Sequence, residues 1–144
     1  MRMQPSSGRL QCVVVTPERA VLDEPVDFVA LPMYDGELGV LPGRAPLIGR
    51  LGCGELRIRH GAATRRFFVD GGFAQVRSNL ITVLTPRAIR GEDIDIPSIQ
   101  QTLETPPTAI LVPDAQETER KKRDCARAQL RVAQHTRGEV ARET

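Results

Sequence analysis

The sequence predicts a mostly antiparallel β-sandwich N-terminal domain followed by a C-terminal α-helical, hairpin-like tail. Three observations carry this. From Leu10 to Ile89, short apolar runs are broken by turn residues at the ~8–12-residue spacing of sandwiches and barrels. Aromatics are only 3% of the 144 residues, so a core must rest on Val, Leu and Ile, which fit a pleated surface. After Ile89 both the strand pattern and the charge pattern change.

The charge change sets the boundaries. Residues 1–90 carry 12 basic and 8 acidic groups, residues 91–113 carry 4 acidic and no basic groups, and residues 114–144 carry 8 basic and 6 acidic groups. The acidic block separates two unlike parts. The expected organisation is a flexible N-terminus over 1–9, a β-sandwich over 10–90, and a helical tail over 91–144 with a Pro-rich break near 105–113.

Strands are expected at Leu10–Val15, Val21–Leu22, Val26–Leu31, Glu55–His60, Thr64–Val69, Phe73–Arg77 and Leu80–Leu84. The cleanest is Glu55–His60, where Leu56, Ile58 and His60 alternate with Glu55, Arg57 and Arg59. Turns are expected at Pro17, Asp23–Pro25, Asp35–Gly36, Gly52–Gly54, Gly61, Asp70–Gly72 and Ser78–Asn79. The stretch DGELGVLPGRAPL, Asp35 to Leu47, sets glycines and prolines around Leu38, Val40 and Leu41, with Asp35, Glu37 and Arg44 between them. It reads as a loop that docks onto something rather than as an active site.

The tail reads as two helices. A short one follows Ile89, with Asp95 near its cap and Pro97 in its first turn, and Pro106–Pro107 stops it. A second begins at Asp114, whose spacing to Glu117 is that of a capping box. Glu117–Lys121 and Glu119–Arg123 are ordered as favourable i,i+4 pairs. The helix is expected to end at Gln134 or His135, with Gly138 as its stop. Its apolar stripe is weak: Ala126, Leu130 and Ala133 form one line, with Cys125, Ala128 and Val132 beside it, and Gln116 to Asp124 contains no apolar residue. Such a helix should pack loosely or be held by a partner.

The chemistry-bearing residues are few. A net charge of +2 is too small to imply nucleic acid. No signal-type apolar core opens the chain, and no window approaches the ~18–20 apolar residues of a membrane span, so any membrane link is expected to run through a partner. Cys12, Cys53 and Cys125 are odd in number and lack C-x-x-C spacing, so they are expected as reduced thiols, with neither a disulfide framework nor a metal site. His60 and His135 lie apart, and none of Ser6, Ser7, Ser78 and Ser98 sits in a nucleophile-elbow context. Asp35 and Glu37 are paired carboxylates, but Asp35–Gly36 is more simply a turn. Neither G-x-x-x-x-G-K-[ST] nor G-x-G-x-x-G occurs. No catalytic residue, cofactor or metal ligand is expected. The basic run ERKKR, Glu119 to Arg123, fits a solvated helix face, nucleic acid, or an acidic protein surface.

Four stretches carry a resemblance to a known family: LQCVVVTPERAVLDEPV, DGELGVLPGRAPLIGRLGCGELRI, FVDGGFAQVRSNLITVLTPRAIRGEDID, and ARAQLRV in the tail. The chain resembles the epsilon subunit of the F-type rotary ATP synthase. The resemblance implies a non-catalytic rotor subunit whose sandwich binds the gamma subunit and sits on the membrane ring of c subunits. It would couple proton flow to ATP synthesis from a position peripheral to the bacterial inner membrane, on its cytoplasmic face, with a thylakoid or other organellar membrane as the alternative. It implies a gamma and c-ring contact loop at Asp35, Glu37, Leu38, Val40, Leu41 and Arg44. It further implies a tail that meets the alpha/beta head and can inhibit hydrolysis. There Arg120, Lys121, Lys122, Arg123, Arg127 and Arg131 would face an acidic segment of the beta subunits. The chain departs from the family at Pro97 and Thr105–Pro106–Pro107, so a continuous extended helix is not expected across that segment. The Ile/Leu-Asp-x-x-Arg-Ala signature of ATP-binding relatives is unmatched at Val112 to Thr118, so no ATP site is expected. The alternatives are a stand-alone β-sandwich interaction or nucleic-acid-binding module and a free-standing sandwich enzyme.

Overall fold

The computed structural model describes residues 9–105 and 113–143. Its strands are β1 (Leu10–Val15), β2 (Ala20–Val26), β3 (Phe28–Met33), β4 (Gly36–Val40), β5 (Leu47–His60), β6 (Ala63–Arg77), β7 (Leu80–Leu84) and β8 (Ala88–Arg90). A 3-10 turn at Gly91–Asp93 leads into α1 (Ile96–Glu104), and α2 spans Pro113–Glu143. The strand order is β2-β1-β7-β6-β5-β3-β4, with β8 added to β6. All pairings are antiparallel except β1 with β7, which is parallel.

The central element is the long hairpin of β5 and β6, paired from Leu47↔Val76 to His60↔Ala63. The sequence reads Gly52–Gly54 and Asp70–Gly72 as turns, and the structure corrects both. They face one another within a single ladder, where Leu51 pairs with Gly72 and Cys53 with Asp70. Gly71 and Gly72 have φ of 77° and 105°, so the strands bend here without ending. Beyond the bend β6 takes β7 as its neighbour, and before it β8. A glycine pattern marks a bend and a turn alike, because both need the same backbone freedom.

Period-2 alternation then sorts side chains between two cores. Phe67 joins Val14, Val29, Leu56, Ile58, Val69 and Val83 inside the sandwich. Its neighbour Phe68 points to the other face and is covered by the tail, beside Ile94, Ile99, Ala128, Val132 and Ala133.

The tail helices form for reasons largely visible in sequence. Asp95 caps α1 by accepting a hydrogen bond from the Ser98 N–H, and Pro97 lies in the first turn, where its missing donor costs nothing. α2, however, continues past Gly138 to Glu143, so that glycine is not its stop. The Glu119–Arg123 ion pair is present at 3.9 Å, while Glu117 pairs with Arg120 instead of Lys121. The expectations for Pro106–Pro107 and the apolar run after them lie outside the described residues, as does that for the N-terminus up to Gly8.

The expectation of reduced thiols is overturned in part. Cys53 of β5 and Cys125 of α2 form a disulfide across 72 residues of sequence, with Cα atoms 5.3 Å apart. Cys12 is a free, buried thiol. Spacing along the chain concealed the pair because the fold, not the local sequence, makes the two cysteines neighbours. The tail is therefore not merely loosely packed: it is docked and covalently attached.

Candidate interaction surfaces

The first half of the Asp35–Leu47 stretch is a strand, not a loop. β4 pairs with β3 from Val29↔Val40 to Met33↔Gly36, leaving Tyr34 and Asp35 as a two-residue turn. Gly36, at φ 141°, supplies the conformation that closes it. The pleat then decides what each predicted contact residue offers. Val40 is fully buried, and its side chain belongs to the core rather than to the surface. Leu38 is half-buried against the same core. Glu37 is exposed, with Arg57 of β5 at 3.3 Å. Asp35, Leu41 and Arg44 are exposed. The segment after Val40 is held in place by Asn79, whose side-chain oxygen accepts a 2.8 Å hydrogen bond from the Gly43 N–H. Ser78 and Asn79, at φ 51° and 63°, form the tight β6–β7 turn, so two turns are tied together at one end of the sheet.

An apolar stripe with no local signature in the sequence crosses β5, β6 and β7. Ile48 of β5, Phe73 of β6 and Leu84 of β7 are 74%, 53% and 52% exposed, and Tyr34 in the β3–β4 turn is 66% exposed. Register makes them neighbours: Phe73 pairs with both Arg50 and Leu84, while Ile48 lies two residues before Arg50 on the same face. The Arg50 guanidinium covers the Tyr34 ring at 4.7 Å. A clustered set of large apolar side chains outside a complete core is the signature of a surface that a partner covers.

The second surface is the solvent face of α2. Lys121, Lys122 and Arg131 are exposed. Arg120 and Arg127 are exposed too, each paired along the helix, with Glu117 at 2.9 Å and Asp124 at 3.0 Å. Arg123 behaves differently. Its guanidinium donates to the Leu103 carbonyl at 3.0 Å and to that of Thr105, satisfying the C-terminal end of α1. On the opposite side, His135 Nδ1 lies 3.3 Å from Glu55 Oε1, which also accepts from Arg66 Nη1 at 2.7 Å.

No catalytic constellation assembles among the described residues. His60 is exposed at the rim, beside Arg9 at 2.9 Å, at the far end of the strand whose Glu55 meets His135. Cys53, Asp70 and Cys125 bring three ligand-type atoms together, but the two sulfurs are bonded to each other. Among the described residues, no helix is long and apolar enough to cross a membrane.

Comparison with known proteins decides between the remaining classes. The beta-sandwich domain of the ATP synthase delta/epsilon chain matches residues 9–91, more than half of the sequence. The ATP synthase epsilon chain of Rhodopirellula baltica is 48% identical over 128 residues, covering 86% of this chain and 98% of its own length. The chain belongs to the ATP synthase delta/epsilon family. The epsilon chain of Nitratidesulfovibrio vulgaris is 47% identical over 60% of this chain and 65% of its own. The fold also matches a chain in the cryo-EM structure of the Tetrahymena thermophila mitochondrial ATP synthase central stalk and c-ring. That match has a TM-score of 0.67 and 12% identity, over 90% of this chain and 99% of the other. A chain of the Euglena gracilis mitochondrial ATP synthase matches with a TM-score of 0.62 and 18% identity, over 97% and 89%.

An epsilon-type chain is part of an enzyme complex and not a catalyst in its own right, and the complex is membrane-bound. Membership also removes the stand-alone sandwich module and the free-standing enzyme from contention.

Proposed function

We propose that this epsilon-type chain, a non-catalytic central-stalk subunit of the rotary ATP synthase, uses the tied-turn end and the Ile48–Phe73–Leu84 stripe to dock between the gamma subunit and the c-ring. Asp35, Leu41 and Arg44 supply exposed contacts at the turns, and Glu37 joins them through its Arg57 partner. Leu38 and Val40 act from beneath by holding β4 in place. Docking on both rotor parts carries torque between proton flow and ATP synthesis, and keeps the chain peripheral to the membrane, on the cytoplasmic face of a bacterial cell. The observation that carries this reading is the exposed apolar stripe over a core that is already complete.

The tail is proposed as a brake on ATP hydrolysis. In the docked arrangement Lys121, Lys122 and Arg131 face solvent, open to an acidic segment of the catalytic beta subunits, and exposed Arg120 and Arg127 would exchange Glu117 and Asp124 for it. Arg123 joins that set only when it releases Leu103 and Thr105. α2 buries only Ala128, Val132 and Ala133 in full, with Ala126 and Leu130 partly buried beside them, so docked and extended states need differ by only about a few kcal/mol.

Co-purification with a cognate gamma subunit tests the first claim, and failure to bind removes it. Reversing Lys121 and Lys122 to Glu tests the second. Faster hydrolysis by the assembled head supports the brake, and an unchanged rate leaves a coupling subunit without one.

A further inference from the structure

We propose that the Cys53–Cys125 disulfide is a redox-sensitive latch that holds α2 on the sandwich, and that a dithiol reductant releases it. The position of the bond makes it a latch rather than a general staple. Cys125 stands where α2 changes character: Gln116 to Asp124 precede it with no apolar side chain, and the buried Ala128, Val132 and Ala133 follow it. Apart from the disulfide, docking rests on those three residues against Phe68, Ile94 and Ile99, on the partly buried Ala126 and Leu130 beside them, and on polar contacts such as His135 with Glu55 and Arg123 with Leu103. A helix anchored by burial on one side of Cys125 only can open locally, and a covalent link at the edge of its docked stretch turns each opening into an intramolecular, rapidly reversed event.

The surroundings permit the exchange chemistry. Cys125 lines an open cleft of about 550 Å³ between the two tail helices and the sandwich, together with Lys121, Lys122, Arg87 and the carboxylate of Asp70. Three cations against one carboxylate favour the approach of an anionic thiolate to the Cys125 sulfur. Cys53 does not line the cleft, and its Sγ lies 3.0 Å from Asp70 Oδ1. In the disulfide that sulfur carries no proton, so the carboxylate gains a hydrogen bond only when the bond is broken.

A thiolate of the dithiol bonds to Cys125 Sγ as the Cys53–Cys125 bond breaks. Cys53 Sγ leaves with the electron pair, takes a proton and donates its S–H to Asp70. The second thiol of the reductant then attacks its own sulfur in the mixed disulfide. Cys125 is freed and protonated, and the reductant ends as a disulfide, with two electrons passed to the protein. For the isolated chain the latch stands on the docked structure alone; its consequence for ATP hydrolysis rests on the brake proposed above.

The test uses the full chain, purified without reductant and incubated with oxidised glutathione, and then compared with and without dithiothreitol. Peptide mass mapping should find Cys53 linked to Cys125 before reduction. Hydrogen exchange over residues 125–136 should quicken by about tenfold or more on reduction, while exchange in β1, β6 and β7 stays unchanged. A Cys53→Ser chain should exchange at the fast rate in both conditions, and Cys125→Ser provides the same readout if the first variant fails to fold. Absence of the link under oxidising conditions overturns the proposal, and so does equal exchange in the linked and reduced wild-type chains. Loss of gamma binding would instead sink the rotor reading and leave the latch standing.

Discussion

Gly91 in the 3-10 turn lies directly beneath Thr136 of α2: a Cβ at Gly91 would run into the Thr136 hydroxyl and stand 2.9 Å from its Cβ. Thr136 is itself held in position, since its hydroxyl donates to the Val132 carbonyl at 2.9 Å. The contact joins the start of the tail to the docked stretch of α2, outside the sandwich core. Gly91→Ala should therefore loosen α2 by about 1–3 kcal/mol, the scale of overpacking a tight contact, while the sandwich stays folded. Proteolysis at the Lys121–Arg123 cluster should become faster, and Thr136→Ala in the same chain should recover part of the protection. Unchanged cleavage would mean that the two residues do not hold the tail.

Gly72 predicts the opposite pattern, a loss confined to the sandwich. It sits at φ 105° in the bend of β6, and a Cβ there would meet the Leu84 carbonyl oxygen and lie 2.8 Å from Thr85 Cα. Neither obstacle is a flexible side chain that could swing away. Gly72→Ala should cost on the order of 3 kcal/mol or more, from backbone strain plus the clash. Urea denaturation should show the midpoint falling sharply. A shift no larger than that of a surface substitution would mean the bend is not needed.

The exposed stripe separates assembly from stability. Ile48 and Phe73 are 74% and 53% exposed, so Ile48→Asp and Phe73→Asp should change the stability of the isolated chain by about 0.5 kcal/mol or less. If the stripe is covered in the assembly, each charge becomes buried there, and binding to gamma or the ring should weaken by about tenfold or more. Val40→Asp is the contrast, because that side chain is fully buried and the variant should not fold. Stripe variants that bind as wild type would place the interface elsewhere on the molecule.

How much of this was legible in sequence depended on whether the signal was local. The alternation at Glu55–His60 and the cap at Asp95 are properties of adjacent residues, and both appear in the structure as expected. Gly52–Gly54 and Asp70–Gly72 misled because a bend in a paired ladder and a turn select the same residue type. Gly36–Val40 was hidden by its glycines, although Leu38 and Val40 already alternate as a strand requires. The disulfide and the stripe were invisible for a different reason. Cys53 meets Cys125, and Phe73 meets Leu84, only through register and docking, which no spacing along the chain encodes. Glu37 and Arg44, read as polar groups in a turn, are exposed, whereas Leu41, read as ordering the turn, is exposed as well and Val40 is taken into the core by the pleat.

Cys12 links the buried core to pH. It is fully buried in β1, and desolvation pushes its thiol from the ordinary 9.0 up to about 12, with Arg65 opposing and Asp23 adding to the rise. Above about pH 9 the unfolded chain loses this proton while the folded chain keeps it until about pH 12. The unfolded state then binds fewer protons than the native state, so stability falls as pH rises through that window and is fully present below it. Cys12→Ala removes the titrating group, so its stability should decline less steeply over the same window, even though the smaller side chain lowers its starting value. The comparison to make is the slope of the urea midpoint against pH in the two chains, with the disulfide intact in both. The same burial should leave Cys12 unreacted with iodoacetamide in the native chain below about pH 9. Equal slopes together with rapid alkylation would show that the thiol reaches solvent and that the β1 face of the core opens more readily than its packing implies.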